Sequence, residues 1–269
     1  MNYMKQQLFI STLFWVTTLC AQSNDAESKP GVISLDSANM LIATYTQQLS
    51  AAPNNAVLYY KRAEVKSRLL NFKDAIADYT HAIETDTAYA DAYYQRGLLK
   101  VKLRDYESAL PDYTKVIALK PTFARVYFNR GNVKAKLKNY TAAIDDYTQA
   151  IMLDPTVATF YYNRANAKRL SVGFDWVMDD YNKAIELNPA YVNAYHDRGM
   201  ANYYLKKYDL ALADLNKAIQ LKPDDADAHH DRGLTKKFLN DMQGACSDWT
   251  QAVRLGRKDS EKALAKYCK

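Results

Sequence analysis

Residues 124–157, ARVYFNRGNVKAKLKNYTAAIDDYTQAIMLDPTV, decide the fold. Their core motif, Phe128-Asn129-Arg130-Gly131, returns every 34 residues along the chain. Upstream copies are Tyr60-Lys61-Arg62-Ala63 and Tyr94-Gln95-Arg96-Gly97. Downstream ones are Tyr162-Asn163-Arg164-Ala165, His196-Asp197-Arg198-Gly199 and His230-Asp231-Arg232-Gly233. A fixed period of that length specifies a stack of two-helix units, in which each unit buries its apolar face only against its neighbours. The six units are 56–89, 90–123, 124–157, 158–191, 192–225 and 226–259. Within the third, apolar spacing predicts a first helix over 125–137, a turn at 138–140 and a second helix over 141–153. Pro155 then stops the second helix.

Three columns stay small in every unit: Ala63/Gly131, Ala75/Ala143 and Ala82/Ala150 in the first and third copies. Glycine costs about 1 kcal/mol in a helix relative to alanine, so its recurrence at 97, 131, 199 and 233 implies close backbone approach. Large residues fill the space between, including Leu69 and Leu103, Tyr106 and Phe174, and the column Tyr79, Tyr113, Tyr147, Tyr181, Leu215 and Trp249. Pro111 falls inside an expected second helix, where it should remove one backbone bond and bend the helix.

These residues resemble the tetratricopeptide repeat, through the unit length, the small residue after Arg, the alanine columns, the aromatic at the inter-helix turn and Pro121, Pro155, Pro189 and Pro223. The resemblance implies an all-α, α-α superhelix of six helix-turn-helix repeats. Half a repeat at residues 36–55 would cap its N-terminal end and a short helix at 260–269 its C-terminal end. It also implies a non-catalytic scaffold or adaptor that binds a peptide or partner protein in the concave groove lined by first helices. Carried over by position, the groove residues are Tyr60, Tyr94, Phe128, Tyr162, His196 and His230, with Asn132, Asn166, Lys102, Lys136 and Tyr204. Asn132, Asn166 and Lys136 partly fit a clamp for a terminal carboxylate. The column that would need Lys holds Tyr, Phe or His, so no such clamp is expected.

Where the family usually places an apolar residue, every unit here has an arginine: Arg62, Arg96, Arg130, Arg164, Arg198 and Arg232. Sixteen residues on stands an aspartate: Asp78, Asp112, Asp146, Asp180, Asp214 and Asp248. The matched rows predict structural ion pairs rather than an anion-binding arginine row.

The first 21 residues differ in kind, with Lys5, an apolar run from Leu8 to Leu19 and then Cys20-Ala21. A short basic start, a brief apolar stretch and a small residue at the cut make a secretory signal, and the run is too short to span a bilayer. Residues 22–35 read as a flexible linker. The expected location is the periplasm or cell surface. Lipid anchoring at Cys20 normally wants a small residue before the cysteine, and Leu19 is large. Cys246 and Cys268 then remain, and two cysteines in an exported chain predict a disulfide. Ala245-Cys246-Ser247-Asp248-Trp249 with a near-terminal Cys268 is similar to the closing segment of some bacterial exported repeat proteins.

Composition narrows the function classes. Of 269 residues, 25% are charged with a net charge of +6, and no basic run is long enough to mark a nucleic-acid footprint. No phosphate-cradling glycine loop, His-Glu-x-x-His or Gly-x-Ser-x-Gly occurs, so no enzyme, cofactor or metal is expected. His196 and His230, one unit apart, read as substitutes for Tyr on the groove surface. Two other readings share the sequence: a structural subunit of a cell-envelope complex, and a carbohydrate or nucleic-acid binder using the tyrosines and basic flank.

Overall fold

The computed structural model describes residues 34–268; the expected signal and most of the expected linker lie outside them. Within that span fourteen helices follow one another with no strand. Helix α1 (Leu35–Ala51) precedes six pairs. They are α2 (Ala56–Arg68) with α3 (Phe72–Thr85), α4 (Ala90–Lys102) with α5 (Tyr106–Leu119), and α6 (Ala124–Lys136) with α7 (Tyr140–Leu153). Then come α8 (Ala158–Val172) with α9 (Met178–Leu187), α10 (Val192–Tyr204) with α11 (Tyr208–Leu221), and α12 (Ala226–Phe238) with α13 (Met242–Arg254). Helix α14 (Asp259–Tyr267) closes the stack. Each helix packs mainly on its neighbours in sequence. The protein is therefore an α-α superhelix with no single centre. Ser34, whose hydroxyl caps α1 by accepting from the Ser37 N–H, and Leu35 fall in the stretch read above as linker.

The core repeats with the sequence. Ala75, Ala109, Ala143, Val177, Ala211 and Ala245 are fully buried, and so are Tyr79, Tyr113, Tyr147, Tyr181, Leu215 and Trp249 to within 1%. Burying one such large side chain stabilises by about 1.5–3 kcal/mol. The glycine column shows why it stays small: a Cβ on Gly131 would stand 2.8 Å from Tyr147 Cε1, and one on Gly233 would stand 2.6 Å from Trp249 Nε1. Leu103, expected to fill space between helices, is 43% exposed instead. It is the C-cap of α4, past the end of the packed face. Helix α5 continues through Pro111, which is exposed.

First helices touch first helices across α6 and α8 and across α10 and α12. The layer whose members come closest is the inner layer of a curved stack, so the first helices line the concave face.

Unit four departs from its siblings. In the other five, the first helix ends in a residue of positive φ: Leu70, Arg104, Lys138, Lys206 and Asn240. Backbone bonds such as Asn71 N–H to Lys66 O and Leu70 N–H to Ser67 O close each end as a Schellman turn. In unit four α8 runs on to Val172, the positive φ moves to Gly173 and α9 starts only at Met178. Ser171 occupies the column held elsewhere by leucine, so the apolar residue that seats this turn is absent.

Candidate protein-binding groove

The arginine and aspartate columns meet in every unit. Each Arg Nε donates to Asp Oδ2 at 2.8–3.0 Å, and Nη2 lies 2.5–2.7 Å from Oδ1. Two parallel bonds of this kind are the strong, fixed geometry of guanidinium and carboxylate. The aspartates are 2–6% exposed. Two further columns complete the network and escaped the sequence reading. Lys66, Lys100, Lys134, Lys168 and Lys236 place Nζ 2.7–2.9 Å from the same carboxylates. In unit five Asn202 takes that place and donates to Asp214 at 3.2 Å. The third arginine nitrogen, Nη1, donates to the preceding unit at 2.7–3.2 Å: to Thr46, Thr80, Thr114, Thr148, Asn182 and Asn216 in turn. The ladder thus runs through the whole stack, and α1, through Thr46, bonds as the second helix of a half repeat. Both missed columns have the same period as the arginines; their signal was present in the spacing.

The aromatic column expected to face the groove is largely used between units. Tyr60 stacks on Tyr89, the last residue of its own unit and the N-cap of α4, with ring centroids 5.1 Å apart. Tyr94 Oη accepts from Asn129 Nδ2 at 2.9 Å, and Tyr162 Oη donates to Asp197 Oδ2 at 2.7 Å. Phe128 packs on Phe160 at 4.8 Å. His196 binds Asp197 at 3.1 Å and, one unit on, Asp231 at 2.9 Å; His230 Nδ1 lies 2.7 Å from Ser260 Oγ of α14. Asn132 and Asn166 accept from the hydroxyls of Tyr147 and Tyr181 at 2.8 and 2.7 Å. The acidities follow. Burial, with nearby Glu64, pushes the Tyr60 phenol up to about 12. Burial alone would push the His196 imidazolium down, but its hydrogen bonds to the two aspartates outweigh that and hold it up at about 10. His230 goes the other way, lowered by burial and by Arg257. His229 Nε2–H donates to the Pro223 carbonyl at 3.0 Å.

Lys102, Lys136 and Tyr204 remain exposed, at the C-terminal ends of α4, α6 and α10. With them on this rim stand Leu170 at 51% and Phe238 at 47% exposure, which continue the column of Lys102, Lys136 and Tyr204 expected to line the groove, and two residues the sequence did not single out, Val172 at 58% and Trp176 at 70%. Only the irregular turn of unit four, which the uniform unit length conceals, explains why Val172 and Trp176 stand out.

Family models agree with this geometry. The tetratricopeptide repeat model matches residues 90–123 and 124–157, and a TPR repeat model matches 199–237. The chain carries tetratricopeptide repeats. Among solved structures with this repeat, YrrB, described as a TPR protein with an unusual peptide-binding site, is 23% identical over 69% of this chain and 96% of its own, with a TM-score of 0.62. The C-terminal part of a TPR repeat-containing protein from Cytophaga hutchinsonii is 18% identical over 86% of this chain and 99% of its own, with a TM-score of 0.68. A tetratricopeptide repeat protein from Parabacteroides merdae is 21% identical over 86% of this chain and 98% of its own, at 0.56. No curated protein matches the chain. Identities this low carry the fold and nothing further. Cys246 in α13 and Cys268 after α14 are joined as a disulfide, which pins the last helix onto the last repeat.

Proposed function

We propose that this tetratricopeptide protein is a non-catalytic scaffold that works after export and holds a segment of a partner protein along its concave face. The observation that carries the reading is the contrast on that face between inner residues bonded unit to unit and a rim whose large side chains stay in water. Contiguous exposed apolar surface on a folded chain marks an interaction site. The peptide-binding site in the description of YrrB, a relative in fold, points the same way. The disulfide suits an oxidising compartment, and the expected signal would deliver the chain there.

The test must use the rim. Tyr94→Ala would break an inter-unit bond and confuse binding with folding. Tyr204→Ala with Phe238→Ala changes exposed residues that make ring contacts across units but no inter-unit hydrogen bond, so an unchanged helical signal and melting temperature are required of the variant first. A cross-linked pull-down from the native envelope should lose its partner with that pair and keep it with Met152→Ala, a 71% exposed residue on the second helix of unit three. Equal capture by all three chains would point instead to a structural subunit that uses its edges and ends.

A further inference from the structure

The thirteenth position of each unit lies at or near the end of the first helix, on the groove rim. It reads Arg68, Lys102, Lys136, Leu170, Tyr204, Phe238. All six are exposed, yet the chemistry changes once, at the middle of the stack. Cations at helix C-termini are favourable by themselves, through the helix dipole, which would account for the first three. It does not account for the last three, where that contribution is given up for apolar side chains left in water. Among the described residues, no acid lies within ion-pair distance of Arg68, Lys102 or Lys136, although most other charged columns of the chain are paired. The apolar half is continuous. Phe174 stacks on Tyr204 at 4.5 Å and 18°, Tyr203 meets Phe238 at 5.5 Å, and Tyr208 lies parallel to Phe238 at 5.0 Å. The break in unit four adds Trp176, exposed in the turn between α8 and α9.

We propose that the groove takes an extended peptide of two-part character, with acidic residues over units one to three and aromatic or aliphatic residues over units four to six. Trp176, Tyr204 and Phe238 anchor the apolar part. This deepens, and rests on, the groove-binding reading above. A second copy of the chain fits the surface less well, because a two-fold contact presents the same patch to itself. It would set the three cations, none ion-paired though Lys102 Nζ lies 5.1 Å over the Phe72 ring, against cations or against the apolar half of the same column.

The test uses synthetic fluorescein-labelled peptides of equal length: one with glutamates in one half and phenylalanines in the other, one uniformly acidic and one uniformly aromatic. The two-part peptide should bind tightest and weaken with added salt, since rim ion pairs are screened. Arg68→Glu/Lys102→Glu/Lys136→Glu should weaken it about tenfold while leaving the aromatic peptide unchanged and the helical signal intact. A photoreactive group at the acidic end should cross-link to residues 56–157. Cross-links within residues 158–259, equal affinity for all three peptides, or indifference to the charge reversal would overturn the proposal. So would a chain that dimerises through this rim, with Trp176→Ser restoring the monomer and no peptide bound. If these outcomes occur while Tyr204→Ala/Phe238→Ala still abolishes envelope capture, groove binding stands and only the two-part ligand falls. If capture is also unaffected, both fall.

Discussion

Asp146 holds two cations on one carboxylate, Arg130 at 2.7 Å and Lys134 at 2.8 Å, at 3% exposure. Removing the acid strands both cations, whereas removing the lysine leaves the two-bond arginine contact and a carboxylate at the surface of the lysine's vacated path. Unit five already lives in the second state, with Asn202 in the lysine column. Asp146→Ala should therefore cost about 3–5 kcal/mol and Lys134→Asn about 1 kcal/mol or less, read as shifts in the urea midpoint. Equal costs would contradict the division of labour within the network. His196 gives a second expectation. Its folded pKa, raised to about 10, stands above the ordinary value of 6.5. A raised pKa means that the imidazolium's stabilisation is complete below the unfolded value and is lost as pH rises through the folded one. Thermal stability should fall between about pH 7 and pH 10 more steeply for the native chain than for His196→Gln, in which tyrosines and lysines still titrate. Identical slopes would remove His196 from the account.

At the scale of the helix, the five Schellman turns use leucine, arginine, lysine twice and asparagine in a left-handed conformation. For an L-residue with a Cβ that conformation costs roughly 1–2 kcal/mol. Lys138→Gly should accordingly raise the melting temperature, because Lys138 is exposed and loses only that strain. Val172→Gly should lower it, because Val172 is helical and has no strain to lose. The reverse order would mean that the turns are not the strained elements. These turns also mark where reading the sequence succeeds and stops. The arginine, alanine and tyrosine columns were legible because packing forces them to recur. The lysine column recurs in five units and the threonine column is Thr in four and Asn in two, and both fall on polar positions, where solvated side chains are the ordinary expectation, so spacing alone did not single them out. The rim exposure of Val172 and Trp176 in unit four was not legible. It depends on a helix that overruns its usual end, and the count of 34 residues in that unit is unchanged. The aromatic column was expected to face the groove, and its bonding across units was not legible, since Tyr94 to Asn129 and Tyr162 to Asp197 join residues whose partnership only the stacking angle decides.

Across the whole molecule, stability is a sum of unit terms and nearest-neighbour terms, so a change at one end decays along the stack rather than melting it. The C-terminal end is tied more firmly than the sequence of its last unit requires. Helix α14 covers unit six through Ser260 on His230, Tyr267 over Trp249 with ring centroids 5.8 Å apart, and the Cys246–Cys268 bond closing a span of 22 residues, while an ion pair of Arg257 with Asp227 ties the segment before α14 to the start of α12. The chain-entropy relation gives that bond about 3 kcal/mol. Without it, α14 is a nine-residue helix, too short to persist unless packed. Trp249, fully buried in the intact chain, would then lie under a cover that opens. Reduction, or Cys246→Ser with Cys268→Ser, should therefore speed amide exchange in α12, α13 and α14 and redden the tryptophan emission. Exchange in α2 to α5 should stay as it was, because four interfaces lie between. Uniform acceleration from α2 to α14 would show that the stack unfolds as one body, and the nearest-neighbour description would have to be given up.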